Sequence, residues 1–362
     1  MRIAMIGQKG IPASYGGIER HVEQISTLLA ERGHKVFVYC RPYYTKIDKK
    51  FNGVDLIKLP SIRTRHLDCA SHTLVSTAHV LSMKVDVVHY HALGPSALSF
   101  IPRLAGIPTI ATVHGLDWRG GKWGKIATWV LQRCEYAACH FPNRTIVVSN
   151  ILKKHFESKY KREVIYIPNG VSLGKVVEPK NISNLGITPQ DYYLYVGRLG
   201  AEKGCHILIQ AFVNAKTKRK LVMVGSAHMN TAYEHYLRSL ADQRVLFTGP
   251  IYGDLLTELW NGAYAVIHPS ITEGMSLSLL EAMAHGKCII TSDIPENLEV
   301  VGDAALTFSS GDASSLSKMI ETADVNSELV QELGAKAIKR AKDCFDWNMI
   351  VERIEEVYKE VL

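Results

Sequence analysis

Two acidic side chains in one segment have the chemistry to hold the hydroxyl groups of a ligand. The segment covers residues 269–286 and reads PSITEGMSLSLLEAMAHG, with Glu273 in its first part and Glu281 further on. The pattern predicts a strand before it, a turn at Gly274 and a helix over 278–285. Backbone N–H groups and the dipole at a helix N-terminus attract anions. We therefore expect a phosphate-bearing ligand here, with Glu281 on the hydroxyls of a ribose and Glu273 on those of a sugar.

Both acids also have a structural interpretation in which neither touches a ligand. An acidic side chain at Glu273 can cap the helix that follows, and Glu281 fits a solvated helix position. However, the two acids have seven residues between them, which is expected to place both on one side of the loop and helix. Together with the cations described next, this favours ligand binding.

A second segment places two cations among glycines. Arg198 and Lys203 lie five residues apart in the sequence GRLGAEKG, which covers 197–204 between a predicted strand and a predicted helix. A guanidinium offers a planar fork of donors and an ammonium a point charge, so the two can converge on a diphosphate. Fixed cations stabilise the charge that builds on a leaving diphosphate. No Asp-x-Asp triplet occurs in the chain, and we expect the cations to act without a metal ion.

These segments need a sheet whose strands end at one edge. Short apolar runs alternate with amphipathic helical stretches, which is typical of a doubly wound α/β fold. With 362 residues the chain is long enough for two such domains. We expect two Rossmann-like domains, 1–170 and 171–346, that face each other across a cleft. The turn at Pro168–Gly170 marks the boundary, and a helix over 347–362 can pack against either domain.

The apolar pattern also locates individual elements. In the first domain it predicts a helix over 18–32 and strands at 2–7, 35–40, 85–90, 109–113 and 145–148. In the second it predicts helices over 204–215 and 278–285 and strands at 193–196, 220–224, 245–247, 265–268 and 288–291. Open α/β sheets bind ligands beyond the carboxyl ends of their strands. The acidic and the basic segment both follow strands, and we therefore expect them at that edge.

Together these segments resemble the retaining glycosyltransferases of family 4, the group-1 glycosyltransferases with the GT-B fold. The resemblance covers nearly the whole chain and includes GGIER at 16–20, IPNGV at 167–171, FTG at 247–249, SDIP at 292–295 and EVVGD at 299–303. The opening QKGIP at 8–12 is similar to a branch that includes rhamnosyltransferases of surface polysaccharide assembly.

The resemblance implies a metal-independent hexosyl- or deoxyhexosyltransferase without a cofactor. It would move a sugar from a nucleotide diphosphate sugar to a glycan or lipid-linked acceptor with retention of configuration. Such enzymes act in capsule, O-antigen or exopolysaccharide biosynthesis. The first domain would bind the acceptor and the second the nucleotide sugar.

The resemblance also assigns residues. The catalytic set is His114 and Glu273 near the transferred sugar, with Arg198 and Lys203 on the diphosphate. Besides Glu281 on the ribose, the donor contacts are Gly16, Gly17, Gly274, Met275, Ser276 and Leu277. Family members often have Phe-Gly where this chain has Met275 and Ser276, which leaves the donor open among UDP, GDP and dTDP sugars.

The residues after His114 are candidates for acceptor contacts. Asp117, Trp118 and Arg119 follow a predicted strand, although a lone histidine at such a position is commonly a buried core residue. Tryptophans and cations alternate over 118–129, and five more cations lie between 153 and 162. Such a mixture suits an anionic membrane surface. The alternative is a row of tryptophans at a core edge beside solvated lysines.

Composition limits the compartment and the partners. Residues 1–170 hold 24 Lys plus Arg against 11 Asp plus Glu, a net +13, and the remainder holds 18 against 24, a net −6. This asymmetry suggests that only the first half meets a polyanion or an anionic membrane. The alternative is a basic surface that is merely solvated. No apolar run is long enough for a membrane-spanning helix, and residues 1–7 lack the apolar core of a signal peptide. We expect a cytoplasmic protein, peripheral on the inner face of the cell membrane.

The seven cysteines are scattered without a Cys-x-x-Cys pair, which predicts buried thiols and neither disulfides nor a metal site.

Other classes of protein remain open from sequence. A dinucleotide-dependent oxidoreductase needs a Gly-x-Gly-x-x-Gly turn, whereas the first turn here reads GQKG. A nucleotide-sugar epimerase can share the scaffold and would need no acceptor. A binding protein without catalytic activity would hold the donor and release no nucleotide. No recognised nucleic-acid-binding module is present.

Overall fold

The computed structural model describes residues 1–64, 67–116, 118–119, 124–227 and 231–362. The chain divides into two compact units. The first unit comprises Met1–Gly170 together with Trp347–Leu362, and the second comprises Val171–Asp346.

The first unit is built on an eight-stranded sheet. Its strands in chain order are β1 (Arg2–Ile6), β2 (Lys35–Cys40), β3 (Lys50–Phe51), β4 (Val54–Lys58), β5 (Val87–His91), β6 (Thr109–Val113), β7 (Arg144–Val147) and β8 (Ile165–Tyr166). The spatial order is β3-β4-β2-β1-β5-β6-β7-β8. All described pairs are parallel except the β3–β4 hairpin. Its helices up to the linker are α1 (Gly17–Glu31), α2 (Leu67–Val80), α3 (Leu93–Ser96), α4 (Phe100–Leu104), α5 (Lys125–His140) and α6 (Asn150–Tyr160).

The second unit is built on a six-stranded parallel sheet. Its strands are β9 (Tyr192–Val196), β10 (Lys220–Val224), β11 (Val245–Gly249), β12 (Ala265–His268), β13 (Cys288–Ser292) and β14 (Ala305–Phe308), in the spatial order β11-β10-β9-β12-β13-β14. Its helices are α7 (Cys205–Asn214), α8 (Thr231–Leu240), α9 (Gly253–Gly262), α10 (Leu277–Ala284), α11 (Pro295–Val301), α12 (Ala313–Val325) and α13 (Ser327–Phe345).

The strands are almost wholly apolar because helices cover both faces of each sheet. In β1, Ile3 and Met5 face the core that α1 shares, while Ala4 and Ile6 lie in a separate cluster on the opposite face. This alternation is typical of a doubly wound sheet, in which helices cover both faces. The α/β fold class predicted from sequence is confirmed.

The last helix, α14 (Trp347–Val361), packs on the first unit. Ile350, Ile354 and Val357 recur at helical spacing and lie in the core cluster that contains Val22 and Ile25 of α1. Glu355 on the same helix accepts hydrogen bonds from Arg32 at 2.5 Å and from His34 at 2.6 Å. Sequence periodicity predicted this helix but left open which domain it covers.

Each sheet has a point at which the strand order reverses. In the second unit β9 is the first strand, and the chain builds outward from it on one side through β10 and on the other through β12. The first unit has the corresponding point between β1 and β5. Connections leave in opposite directions there, which opens a crevice at the carboxyl ends of the strands.

The burial of the cysteines and the character of the helices can be compared with the sequence predictions. Cys40, Cys139, Cys205 and Cys288 are buried as expected, but Cys69 and Cys344 are exposed, so the expectation of a uniformly buried set was wrong. Cys69 lies in α2 and Cys344 in α13. Across the part of the chain that the structure describes, none of the helices has the length and apolar character needed to cross a membrane.

Candidate active site

The two segments with predicted ligand chemistry lie side by side in the second unit. The basic segment follows β9 and the acidic segment follows β12, and these strands are neighbours at the point where the strand order reverses. Gly204 touches the start of the acidic segment, since a Cβ at this position would come within 2.1 Å of the Pro269 carbonyl oxygen. Gly204 also has a φ of 66°, which disfavours any other residue. The Ile271 N–H completes the contact with a 3.0 Å hydrogen bond to the Glu202 carbonyl.

This contact brings Lys203 and Glu273 together. The Lys203 ammonium lies 2.5 Å from Glu273 Oε1, and only 8% of the Glu273 side chain is exposed. Ser270 donates a hydrogen bond to the same oxygen at 2.7 Å. His268, at the end of β12, places Nε2 3.2 Å from it. Glu273 is thus a buried carboxylate surrounded by three polar groups.

The charge of Glu273 is set by competition between burial and its cation. Burial alone would raise the pKa of this carboxyl group, but the Lys203 charge and the contact with His268 outweigh it. The net result is a pKa far below the ordinary value, so Glu273 is ionised at any physiological pH. An ionised acid in this position accepts hydrogen bonds from hydroxyl groups and does not donate a proton.

Ser276 caps α10, so the capping role that sequence offered for Glu273 falls to another residue. The Ser276 hydroxyl accepts a hydrogen bond from the Leu279 N–H at 3.4 Å, and the helix begins at Leu277. Met275 and Ser276 are buried, whereas Gly274 and Leu277 are partly exposed. Glu281 lies inside α10 and is partly buried, so it is not the fully solvated helix residue of the alternative interpretation.

Arg198 lies at the same edge, and its side chain is partly exposed. The Tyr195 hydroxyl donates to the Arg198 carbonyl oxygen at 2.8 Å and fixes the backbone of the loop. The guanidinium pairs with Glu202, and 41% of the side chain is exposed. Arg198 and Lys203 therefore each have an acidic partner here and do not converge on each other.

In the first unit, Gly16 and Gly17 begin α1. Gly16 has a φ of 103°, and a Cβ there would come within 1.9 Å of the Glu19 carboxylate. Glu19 in turn accepts a hydrogen bond from the Lys9 N–H at 3.0 Å and fastens the loop after β1. Glu19 was given no role from sequence, although its place in the first turn of a helix opened by two glycines is a recognisable signal.

His114 follows β6 and is partly exposed, next to three other histidines. His21 in α1 and His89 and His91 in β5 are buried. The His21 and His114 rings have centroids 4.7 Å apart, and His91 Nδ1 lies 3.3 Å from His114 Nε2. Burial lowers the pKa of His114 well below 6.5, so the imidazole is neutral. His21 and His91 were not predicted from sequence. His91 comes near His114 through strand order, and His21 through the packing of α1.

The predicted acceptor residues divide into described and undescribed positions. Asp117 lies outside the described residues. Trp118 donates its indole N–H to Glu135 at 2.6 Å, and the guanidinium of the exposed Arg119 lies 5.4 Å from the Trp118 ring centroid.

Glu135 is a buried acid that the sequence did not reveal. It lies on α5, and its side chain is completely buried. His155 at 2.7 Å, Lys159 at 3.0 Å and Tyr160 at 2.9 Å, all on α6, surround its carboxylate. Burial raises its pKa, but these bonds and that of Trp118 bring it below the ordinary value. Glu135 therefore positions Trp118 relative to α6.

An exposed apolar stripe runs along α5. Ile126 is 83% exposed and Trp129 57%, and Val130 and Tyr136 continue the stripe at helical spacing. The guanidinium of Arg133 lies 5.3 Å from the Trp129 ring centroid. Trp118 is held by Glu135, so of these two tryptophans it is Trp129 that meets solvent.

Comparison with known proteins agrees with this architecture. A model of the glycosyl transferases group 1 family matches residues 177–340, and a model of glycosyltransferase family 4 matches residues 15–175. An uncharacterised glycosyltransferase of Methanocaldococcus jannaschii is 27% identical over 324 residues, which is 83% of each chain.

Solved structures share the fold over the full length. HepE of Anabaena, in complex with UDP-glucose, is 19% identical with a TM-score of 0.82 and covers 99% of this chain and 100% of its own. WaaG, a glycosyltransferase involved in lipopolysaccharide biosynthesis, is 18% identical with a TM-score of 0.78, over 98% of this chain and 99% of its own.

Group-1 glycosyltransferases use a nucleotide sugar as substrate and typically need no cofactor. The two family models, which together span nearly the whole chain, and the doubly wound sheets of both units show that this protein belongs to the GT-B glycosyltransferases of family 4.

Proposed function

We propose that this enzyme transfers a hexosyl or deoxyhexosyl group from a nucleotide diphosphate sugar to a glycan or lipid-linked acceptor, with retention of configuration and without a metal ion. The observation that carries the proposal is the contact between Lys203 and Glu273 at the strand-order reversal of the second unit. A buried, ionised acid and a cation at that edge match the two halves of a sugar diphosphate, hydroxyl groups and negative charge.

In this proposal the donor replaces contacts that already exist within the protein. Lys203 exchanges part of its interaction with Glu273 for the diphosphate, and the exposed guanidinium of Arg198 turns from Glu202 to the same group. The N-terminus of α10, with Gly274, Met275, Ser276 and Leu277, adds backbone N–H groups and a favourable dipole. Glu281 in the same helix holds the ribose.

Glu273 then accepts hydrogen bonds from hydroxyls of the transferred sugar. Gly16 and Gly17 bring backbone N–H groups close to the donor, and His114 contacts the sugar. As the bond between sugar and phosphate breaks, negative charge builds on the leaving diphosphate, and Arg198 and Lys203 stabilise it. We assign no covalent nucleophile. The departing phosphate takes the acceptor proton on the same face of an oxocarbenium-like centre, which retains the configuration.

The donor and the acceptor are proposed from the relatives. HepE was solved with UDP-glucose, which supports a nucleotide diphosphate donor, with UDP foremost. WaaG is involved in lipopolysaccharide biosynthesis, and the QKGIP segment at 8–12 resembles surface-polysaccharide enzymes. We therefore place the reaction in capsule, O-antigen or exopolysaccharide assembly, with Trp118, Arg119 and Asp117 on the acceptor.

We further propose that the first unit docks on the anionic inner face of the cell membrane. The stripe of Ile126, Trp129 and Val130 on α5 supplies an exposed apolar face, and residues 1–170 carry a net charge of +13. Ile126→Glu should abolish flotation with vesicles of acidic lipids. Val325→Glu is the matched control, since Val325 is also exposed (87%) but lies in the second unit. Equal flotation of both variants and the parent would contradict this role of α5.

The catalytic proposal is tested with purified protein in EDTA against UDP-, GDP-, dTDP- and ADP-sugars, with and without an extract of lipid-linked acceptors. Release of the nucleoside diphosphate from one donor, lost in Glu273→Ala and Arg198→Ala, is the expected result. Tight donor binding with no release would indicate a binding protein. Conversion of the sugar with no release would indicate an epimerase.

A further inference from the structure

Four histidines gather in the first unit because three neighbouring elements deliver them. His89 and His91 lie two residues apart in β5 and therefore face the same side of the sheet. His91 pairs in register with Thr112 of β6, and His114 lies two residues beyond that pair. His21 of α1 covers them, with its ring centroid 5.7 Å from that of His91 and 4.7 Å from that of His114.

His89 has both ring nitrogens occupied. Its Nδ1 lies 2.7 Å from the Tyr358 hydroxyl, and its Nε2 lies 2.7 Å from Thr112 Oγ1. His89 is thus a satisfied core residue. His91 differs: its Nδ1 contacts His114 Nε2 at 3.3 Å, while its fully buried Nε2 has no hydrogen-bond partner among the described residues.

The direction of the bond between His91 and His114 follows from that unpartnered nitrogen. Burial lowers the pKa of both rings well below 6.5, so each ring is neutral and carries one N–H. If His114 donated, the proton of His91 would have to lie on Nε2, as a buried N–H with no acceptor. Orphaned buried N–H groups are rare because they are strongly destabilising. The proton of His91 therefore belongs on Nδ1, which donates to His114 Nε2.

We propose that His91 is a positioning residue that fixes His114 as the Nδ1–H tautomer. His114 then presents a hydrogen-bond donor to an oxygen of the transferred sugar, and its Nε2 lone pair is occupied and cannot act as a general base. This inference rests on the proposed function only for the identity of the ligand. The tautomer itself is a property of the protein without substrate.

A metal ion is the competing interpretation of the same cluster. Nitrogens of His21, His91 and His114 all lie within 4.8 Å of one another. Histidines that bind a metal nearly always donate their other ring N–H to a carboxylate, carbonyl or water. A metal bound through His91 Nδ1 would put the other ring N–H on Nε2, which has no such acceptor within the described part of the chain. The hydrogen-bonded pair is therefore favoured over a metal site.

The direct test is NMR of the full-length protein labelled with ¹⁵N-histidine, using long-range ¹H–¹⁵N correlations without substrate. Single histidine variants assign the rings. We expect His91 and His114 both to carry the proton on Nδ1, from pH 6 to 8. A proton on His114 Nε2 would overturn the inference. Simultaneous shifts of the ring ¹⁵N signals of His21, His91 and His114 on addition of one equivalent of Zn²⁺ alone would also overturn it.

A kinetic test replaces His91 or His114 with Asn or Gln, whose side-chain amides differ in their distance from the backbone. The side-chain amide of Asn reaches the place of Nδ1, whereas that of Gln reaches the place of Nε2. His91→Asn should retain more activity than His91→Leu. His91→Leu should lower kcat about tenfold with little change in KM, because a tenfold change corresponds to the loss of one hydrogen bond of roughly 1.4 kcal/mol. For His114, Asn should retain more activity than Gln.

His72→Leu is the matched control, because His72 is also completely buried in the first unit but lies in α2. Its kcat should stay within twofold of the parent. An equal loss in His72→Leu and His91→Leu, or Gln surpassing Asn at His114, would overturn the inference. If no donor is turned over at all, the proposed function fails while the NMR experiment still decides the tautomer.

Discussion

The ion pair between Lys203 and Glu273 predicts an asymmetric response to substitution. Lys203→Met leaves a carboxylate whose side chain is only 8% exposed, while Glu273→Gln leaves an ammonium group that is 24% exposed. Removing one partner of a buried pair costs about 3–5 kcal/mol. Glu273 keeps Ser270 and His268, so we expect the lower end, about 3 kcal/mol, for Lys203→Met. Water can reach Lys203, so Glu273→Gln should cost only about 1 kcal/mol.

The assay is hydrogen exchange of the full-length protein in urea, read by mass spectrometry on peptides from α7 and α10. These peptides report the free energy of opening of the second unit alone, which a whole-protein transition does not. The double variant should lose far less stability than the two single variants together, since it leaves no unpaired charge. Lys336→Met is the control, because Lys336 pairs with Glu332 on the surface of α13 and should leave the exchange unchanged. Glu273→Gln costing as much as Lys203→Met would refute the account of a buried carboxylate held by its cation.

Three further predictions concern the same unit. First, the pKa of Glu273 is lowered in the folded protein, so its stabilisation is complete above the unfolded value of about 4.3 and is lost as pH falls. The parent should therefore lose more stability between about pH 5 and pH 3 than Glu273→Gln, and parallel urea curves would contradict this. Second, Gly204→Ala should destabilise the unit more than Gly186→Ala. Both glycines have positive φ, but only the Cβ at Gly204 meets a carbonyl oxygen, and equal thermal shifts would count against this contact. Third, Ser276→Ala removes the cap of α10 and should cost about 1 kcal/mol, which Ser276→Asn restores in denaturant titration.

The sequence was sufficient for several strands that are covered on both faces. The predicted strands at 35–40, 109–113, 220–224 and 265–268 coincide with β2, β6, β10 and β12, because a strand covered on both faces is a continuous apolar run between turns. The short strands β3 and β8 have two residues each. Two residues are too few to show a period, so these strands were not predicted.

The residues of the second-unit site were named from sequence, but their partners were not. Lys203 and Glu273 are 70 residues apart in the chain, and they meet because β12 crosses over to pair with β9. Strand order is decided by the packing of the whole sheet and leaves no local mark. The same holds for His91 and His114, which approach each other across neighbouring strands of the first sheet.

Acids that organise the first unit were missed for a related reason. Glu135 looks like an ordinary helix residue in the sequence, yet α6 covers it with three polar partners. The contact of two helices decides its burial, and neither helix alone predicts it.

In the second unit, Ser276 was named from sequence as a donor contact but not as a helix cap. Its capping role depends on where α10 begins, which is one residue before the predicted start.

The central claim is sugar transfer with retention, and the most direct test follows the sugar itself. Purified enzyme in EDTA is given the donor found in the release assay, labelled with ¹³C at the anomeric carbon, together with the acceptor extract. NMR of the product then gives both the new linkage and its anomeric configuration. We expect the label in the acceptor with the configuration of the donor. Label that stays on the nucleotide, or a product of inverted configuration, would contradict the account.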